Sequence, residues 1–323
     1  PSLIPLLTYS TRRDLREKIY KAYLNRCNNG DEYDNKQLIN DFIRLRTEKA
    51  HLLGYPSYAA YVVDDQMAGT TEAVYDLLEG VWVPALESAK RELGELDSLF
   101  RKDFPDGEFA SWDWFYYAEK LRKQKYNLDE EMLRPYFALE NVRSGVFFLA
   151  NRLYGITFRP IVVPVYHPEV TAFEVLDADE SHLGVLYFDF FPREGKGQGA
   201  WCGDYVEQTY RDGERVAPVV SIVANFTRPT GDNPALLTLD EVETLFHEFG
   251  HALHFLFHDV KYRGLSEVEG DFVELPSQVM ENWAFNPEVL KQYAVHYRTG
   301  DVMPEALMAK IARSELFNQG FMT

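Results

Sequence analysis

The sequence predicts a mainly α-helical fold with a small antiparallel β-sheet set into it, and three observations carry that expectation. Apolar residues recur at helical spacing through the first 155 residues, they alternate between Ile156 and Phe226, and helical spacing returns from Thr238 onward in this 323-residue chain. The change of period suggests a division into a helical region over 1–155 and a second region over 156–323 that holds the sheet and the later helices.

In the helical region, Ser10 and Thr11 stand where they can cap a helix striped by Leu15, Ile19 and Tyr23. Leu38, Phe42 and Leu45, at i, i+4 and i+7, begin a second helix that Gly54 ends. From Thr71 to Phe104 the set Val74, Leu77, Leu78, Val81, Ala85, Ala89, Leu93, Leu96 and Phe100 keeps helical spacing, and Pro84, which lacks an N–H, should kink or divide that segment. Two more helices are expected near Trp112 to Tyr126 and Glu140 to Tyr154, with Gly155 as a C-terminal cap. Trp112, Trp114, Tyr116 and Tyr117 read either as helix-packing core, the commoner use, or as the lining of a binding channel.

In the second region, Phe173 and Val175, then Leu186, Phe188 and Phe190, then Val219, Ser221 and Val223 alternate as strand residues do, with turn-forming residues from Asp177 to Gly184. No internal repeat and no low-complexity linker interrupts the chain.

Composition narrows the function classes. A hydrophobic share of 46% supports a sizeable core, while 51 acidic against 33 basic side chains give a formal charge of -18 that repels phosphate backbones and anionic lipid. Nucleic acid and membrane are therefore not expected as partners. Cys27 and Cys202, far apart, form neither a disulfide framework nor a Cys-x-x-Cys metal site, and no apolar run approaches the roughly 18 residues of a bilayer span. A cytoplasmic monomer is the expectation. The opening Pro1-Ser2-Leu3-Ile4 has no initiator Met and no signal-peptide pattern, as in a fragment of a longer chain.

His247-Glu248-Phe249-Gly250-His251 is an H-E-x-x-H motif, informative only if it lies on a helix. Thr238 with Glu241 spells a capping box, Leu237 and Val242 can staple across it, and Leu245, Phe249, Leu253 and Leu256 supply an apolar stripe. On such a helix His247 and His251 project from one face and can share one ion. Two imidazoles and a carboxylate suit zinc with a position left for water, and Glu248 then stands beside the metal as the proton acceptor. Spacing leaves the carboxylate ligand open among Glu267, Glu269, Asp271, Glu274 and Glu281. Glu274, Gln278 and Glu281 share one helical face, so one carboxylate can bind metal while another accepts the N–H of a liganding histidine. Pro276 places the start of that helix near Asp271 or kinks it there. His254 and His258 continue the face of His247 and His251, as packed histidines or as side chains orienting their neighbours.

The run from Glu243 to His254, followed by Asp271 to Gln278 and Glu281-Asn282-Trp283, resembles the thimet oligopeptidase family of zinc peptidases. Trp112-Asp113-Trp114, Leu133-Arg134-Pro135-Tyr136-Phe137, Gly199-Ala200-Trp201 and Val206-Glu207-Gln208 are similar to its bacterial peptidyl-dipeptidase branch, and the resemblance runs through the whole chain. It implies a zincin-like helical metallopeptidase of two lobes around a deep channel that admits short unstructured peptides, with 156–323 as the catalytic region. It implies one zinc on His247, His251 and Glu274, Glu248 as base, and Glu281 and His254 as supporting residues. The implied reaction is release of C-terminal dipeptides, other branches cutting internally. Family members continue past the equivalent of Thr323 into a segment whose tyrosine and histidine stabilise the oxyanion, so the isolated chain is expected to bind zinc and peptide but to hydrolyse weakly. The small residues at 195–200 read as a loop contacting substrate through Gly199, Ala200 and Trp201, or as an ordinary turn.

Overall fold

The computed structural model describes residues 3–128, 130–314 and 316–323, with backbone alone at residue 130. Packing divides the chain into two units, Pro1–Leu128 with Arg313–Thr323, and Asp129–Ala312.

The first unit holds α1 (Leu3–Tyr9), α2 (Arg13–Leu24), α3 (Lys36–Leu52), α4 (Tyr58–Val63), α5 (Thr71–Asp103) and α6 (Trp114–Tyr126). Ser10 and Thr11 do not cap α2: its N-cap is Arg12, and the Ser10 hydroxyl oxygen instead accepts the Arg12 N–H outside the helix. Pro84 does not divide α5, which runs 33 residues from a Thr70 cap, because one missing backbone bond is outweighed by helix propagating on both sides. The core is Leu96, Leu99, Phe100, Trp114, Tyr117 and Ala118, so the aromatic group of α6 supplies packing. Beside it the fully buried Asp113 carboxylate is paired with Arg13 and with the equally buried Arg16.

The second unit contains α7 (Glu130–Leu133), α8 (Leu139–Tyr154), the strands β1 (Thr157–Ile161), β2 (Thr171–Leu176), β3 (His182–Asp189), β4 (Trp201–Val206), β5 (Thr209–Arg211), β6 (Glu214–Val216) and β7 (Val219–Val223), then α9 (Leu239–Leu256), α10 (Leu275–Ala284) and α11 (Pro287–Tyr293). The chain continues through α12 (Glu305–Ser314) and α13 (Gln319–Met322). Gly155 caps α8 in the left-handed conformation at φ 79°.

Five strands form one sheet in the order β1-β2-β3-β7-β4, and β5 pairs with β6 as a separate hairpin. The sheet is mixed, not antiparallel as the alternation suggested. β3 and β7 run parallel, pairing Leu186 with Val220 and Phe188 with Ile222, because the chain between them crosses over to lay β4 at the edge before returning. Residue 155, where the sequence changes period, falls inside this unit. Phe147 of α8 stacks on Phe158 of β1 at 4.0 Å between ring centroids and packs against Phe173, Phe188 and Phe249, so α8, α9 and the sheet share one apolar core. Among the described residues no helix is long and apolar enough to cross a membrane.

Candidate metal centre

The centre is assembled from two helices. Thr238 opens α9 with a reciprocal cap: its hydroxyl oxygen accepts the Glu241 N–H at 3.1 Å, and the Glu241 carboxylate accepts the Thr238 N–H at 2.9 Å. Val242, Leu245, Phe246, Phe249, Leu253 and Leu256 are buried against the core, which fixes the helix's rotation. His247 and His251 project from the other face, half-buried, with ring centroids 5.0 Å apart.

At Gly250 the helix α10 meets α9 backbone to backbone. A Cβ there would lie 2.5 Å from the Pro276 carbonyl oxygen and 2.6 Å from the Ser277 Cα, so only glycine permits this approach. The approach sets Glu274, the N-cap residue of α10, over the histidines. Its Oε2 lies 3.2 Å from His247 Nε2 and 3.1 Å from His251 Nε2, and all three candidate ligand atoms fall within 4.8 Å of one another. The fully buried Ser277 hydroxyl donates to that same Oε2 at 2.9 Å, fixing the carboxylate's direction.

Glu281, further along the same face of α10, places Oε1 2.6 Å from His247 Nδ1. Nδ1–H donating to this carboxylate leaves the Nε2 lone pair aimed at Glu274 Oε2, an arrangement of facing lone pairs that a shared cation would satisfy. Ligand bonds of about 2.0–2.2 Å at a tetrahedral zinc put neighbouring ligand atoms roughly 3.3 Å apart, close to both separations seen here. The donor set fits such an ion. Burial also lowers the pKa of His251, against the pull of Glu274, and so favours the neutral imidazole that a ligand must be. Partial burial pushes Glu274 up, but the Ser277 hydroxyl and the two histidines hold it, on balance, below the usual carboxylate range.

Glu248 points inward beside this group. It is 5% exposed, and its Oε2 is buried without a hydrogen-bond partner among the described residues. Burial, opposed by His247 and reinforced by the charge of Glu274, lifts its pKa to about 7. Its charge in turn adds to the burial that pushes up the thiol of Cys202 in β4, a strand that packs against α9.

Of the five carboxylates that spacing left open, Glu274 joins the two histidines, Glu281 supports one of them, and Glu267, Glu269 and Asp271 are outside the three-ligand group. The helix begins at Leu275, later than Asp271, with Pro276 in its first turn. His254 packs edge-on against His258 at 4.9 Å between ring centroids, and among the described residues no hydrogen bond joins it to His247 or His251. Gly199 and Ala200 lie in the turn entering β4, and Trp201 is its first residue, at the sheet edge. Ser277 and Gly250 carry roles that the motif reading did not assign. Their signals were a hydroxyl three residues after the carboxylate and a residue without Cβ inside the motif. Replacing Glu281 with Ala frees the His247 ring and should weaken zinc binding about 10- to 100-fold in a chelator-competition titration.

Comparison with known proteins places the chain. Residues 6–323 match the family model described as peptidase family M3. The chain is 41% identical over 321 residues to a dipeptidyl carboxypeptidase of Salmonella typhimurium, covering 98% of this chain and 47% of that protein. It is 39% identical over 320 residues to oligopeptidase A of Escherichia coli, covering 96% of this chain and 47% of the relative. Saccharolysin of Saccharomyces cerevisiae is 30% identical over 341 residues, again with 47% of the relative covered. The chain spans about half the length of the curated relatives it matches.

Proposed function

The chain belongs to peptidase family M3, and from that premise we propose that it holds one zinc ion on His247, His251 and Glu274 and hydrolyses short unstructured peptides, releasing dipeptides from their free C-termini. The observation that carries this reading is the convergence of Glu274 Oε2 on two imidazole Nε2 atoms at 3.1 and 3.2 Å, beside a buried carboxyl with an unpartnered oxygen.

When bound, zinc supplies Lewis acidity, polarising the scissile carbonyl and making water acidic enough to lose a proton near neutral pH. Glu248 accepts that proton on Oε2 as the water oxygen attacks the carbonyl carbon. It returns the proton to the amine nitrogen as the C–N bond breaks, so the carboxylate ends the cycle as it began. Glu281 holds the His247 ring in its liganding orientation, and Ser277 holds the Glu274 carboxylate. An extended peptide fits the open edge of β4, whose outer backbone groups face no further strand of the sheet among the described residues, with Gly199, Ala200 and Trp201 at its near end. A deep two-lobed channel that spares folded proteins, a monomeric state and a cytoplasmic location belong to the same proposal.

Internal cleavage is the second reading, favoured by the nearly equal likeness to oligopeptidase A. Cleavage of a quenched peptide should stop on zinc chelation and return with added zinc. Amidating the peptide's C-terminus separates the two readings: dipeptide release is lost, whereas internal cutting continues. Cleavage indifferent to chelation would remove the zinc-peptidase reading altogether.

A further inference from the structure

Between β3 and β4 the chain passes over the end of β7 through a segment with glycines at 195, 197 and 199. Gly195 and Gly199 are left-handed, at φ 78° and 89°, and open space surrounds the position of each missing Cβ. Such a segment has much backbone freedom to lose and little apolar surface to hold it. Two polar straps hold it instead. The Asn225 side-chain amide donates to the Gly197 carbonyl at 2.8 Å and to the Gly199 carbonyl at 2.7 Å. Lys196, its side chain only 2% exposed, has four acceptors within hydrogen-bond distance of its three N–H groups: Asp189 Oδ1 and the carbonyls of Asp189, Phe191 and Ala224. Asp189, equally buried, is held in turn by Arg193 and by the Tyr166 hydroxyl. An ammonium taken out of water is costly unless its bonds are all made, and here they are.

The straps end two residues before Trp201, where β4 begins, and β4 packs against α9, the helix that carries Glu248. We propose that Asn225 is a positioning residue for peptide binding: it clamps the glycine segment to the end of β7 and so presets the backbone that leads into the open edge of β4 beside α9. The proposal rests on the peptidase reading above. Asn225 is not one of the three converging candidate ligands, and its side-chain amide is engaged by the glycine carbonyls. It acts by removing disorder that a bound peptide would otherwise have to quench, so its loss is felt in peptide affinity.

The test is made on the zinc-loaded chain carrying Glu248→Gln, which binds without cutting, with a fluorescent hexapeptide bearing a free C-terminus as probe. Asn225→Asp keeps the side chain's size but removes both donors and faces a carboxylate toward two carbonyls. Peptide affinity should fall about tenfold, the value of one or two lost hydrogen bonds. Amide exchange at 195–201 should quicken, and zinc affinity should be unchanged. Asn225→Ala, which adds no charge, should repeat the result if Asn225→Asp lowers the melting temperature. Peptide affinity equal to the parent's in both variants overturns the positioning role, as does a parallel loss of zinc affinity. No peptide binding by the parent, with zinc present, overturns the peptidase reading and this inference with it.

Discussion

Glu248→Gln is expected to lower peptide turnover about 100- to 10,000-fold, the range that a positioned general base contributes, while zinc stays bound. The amide matches the carboxyl in shape, so the buried pocket stays filled, but it cannot accept the proton of the attacking water. His247, His251 and Glu274 are untouched, and Glu248 is not among the three converging ligand atoms. Folding should not suffer either, since a neutral amide is easier to bury than a carboxylate. Long incubations with a quenched peptide, paired with zinc analysis of the same samples, measure both halves of the expectation. Full activity in the variant with zinc retained removes Glu248 as the base.

Gly250→Ala has an expected effect opposite in sign to helix propensity. In an exposed helix interior, replacing Gly by Ala stabilises by about 1 kcal/mol. Here the new methyl would sit 2.5 Å from the Pro276 carbonyl oxygen and 2.6 Å from the Ser277 Cα, backbone atoms that cannot rotate aside. Overpacking of this kind costs about 1–3 kcal/mol, which cancels or outweighs the propensity gain. The larger effect falls on the metal. Moving α10 away from α9 carries Glu274 off both imidazoles and Glu281 off His247, so zinc affinity should drop by at least the roughly 10- to 100-fold that losing one supporting contact costs. A chelator-competition titration and a thermal melt measure the two effects. A variant more stable than its parent with the parent's zinc affinity would show that the two helices are not held by this approach.

The parts of the fold set by local chemistry were legible in the sequence. The Thr238–Glu241 capping box and the stripe of Leu245, Phe249, Leu253 and Leu256 specify α9 by themselves, and Gly155 specifies the end of α8. Strands β2, β3 and β7 declared themselves by alternation. What sequence could not give is decided by partners far along the chain. The parallel pairing of β3 with β7 depends on the crossover between them, not on either strand's pattern. β1 contains Arg159 and Pro160, and β4 contains Gly203 and Asp204, compositions that hide edge strands. The break at 155 follows period, whereas packing follows the aromatic contacts of Phe147. The site divides the same way. Helical spacing alone aligned His247 with His251, and the shared face of Glu274, Gln278 and Glu281 anticipated one carboxylate above another. Spacing did not separate Glu274 from its acidic neighbours; the family resemblance singled it out, and the physical reason, the distance between two helices that Gly250 sets, has no periodic signal. Caps suggested by Ser10 and Thr11 failed because the chain turns one residue later, at Arg12.

X-ray absorption at the zinc edge, on the chain loaded with one equivalent of zinc, bears most directly on whether two imidazoles and one carboxylate hold a single ion. The expected spectrum has multiple scattering from two histidine rings and a four-coordinate shell of light atoms at about 2.0–2.2 Å. A spectrum without imidazole scattering, or zinc lost on simple dialysis, would contradict the assignment of His247, His251 and Glu274 as its ligands.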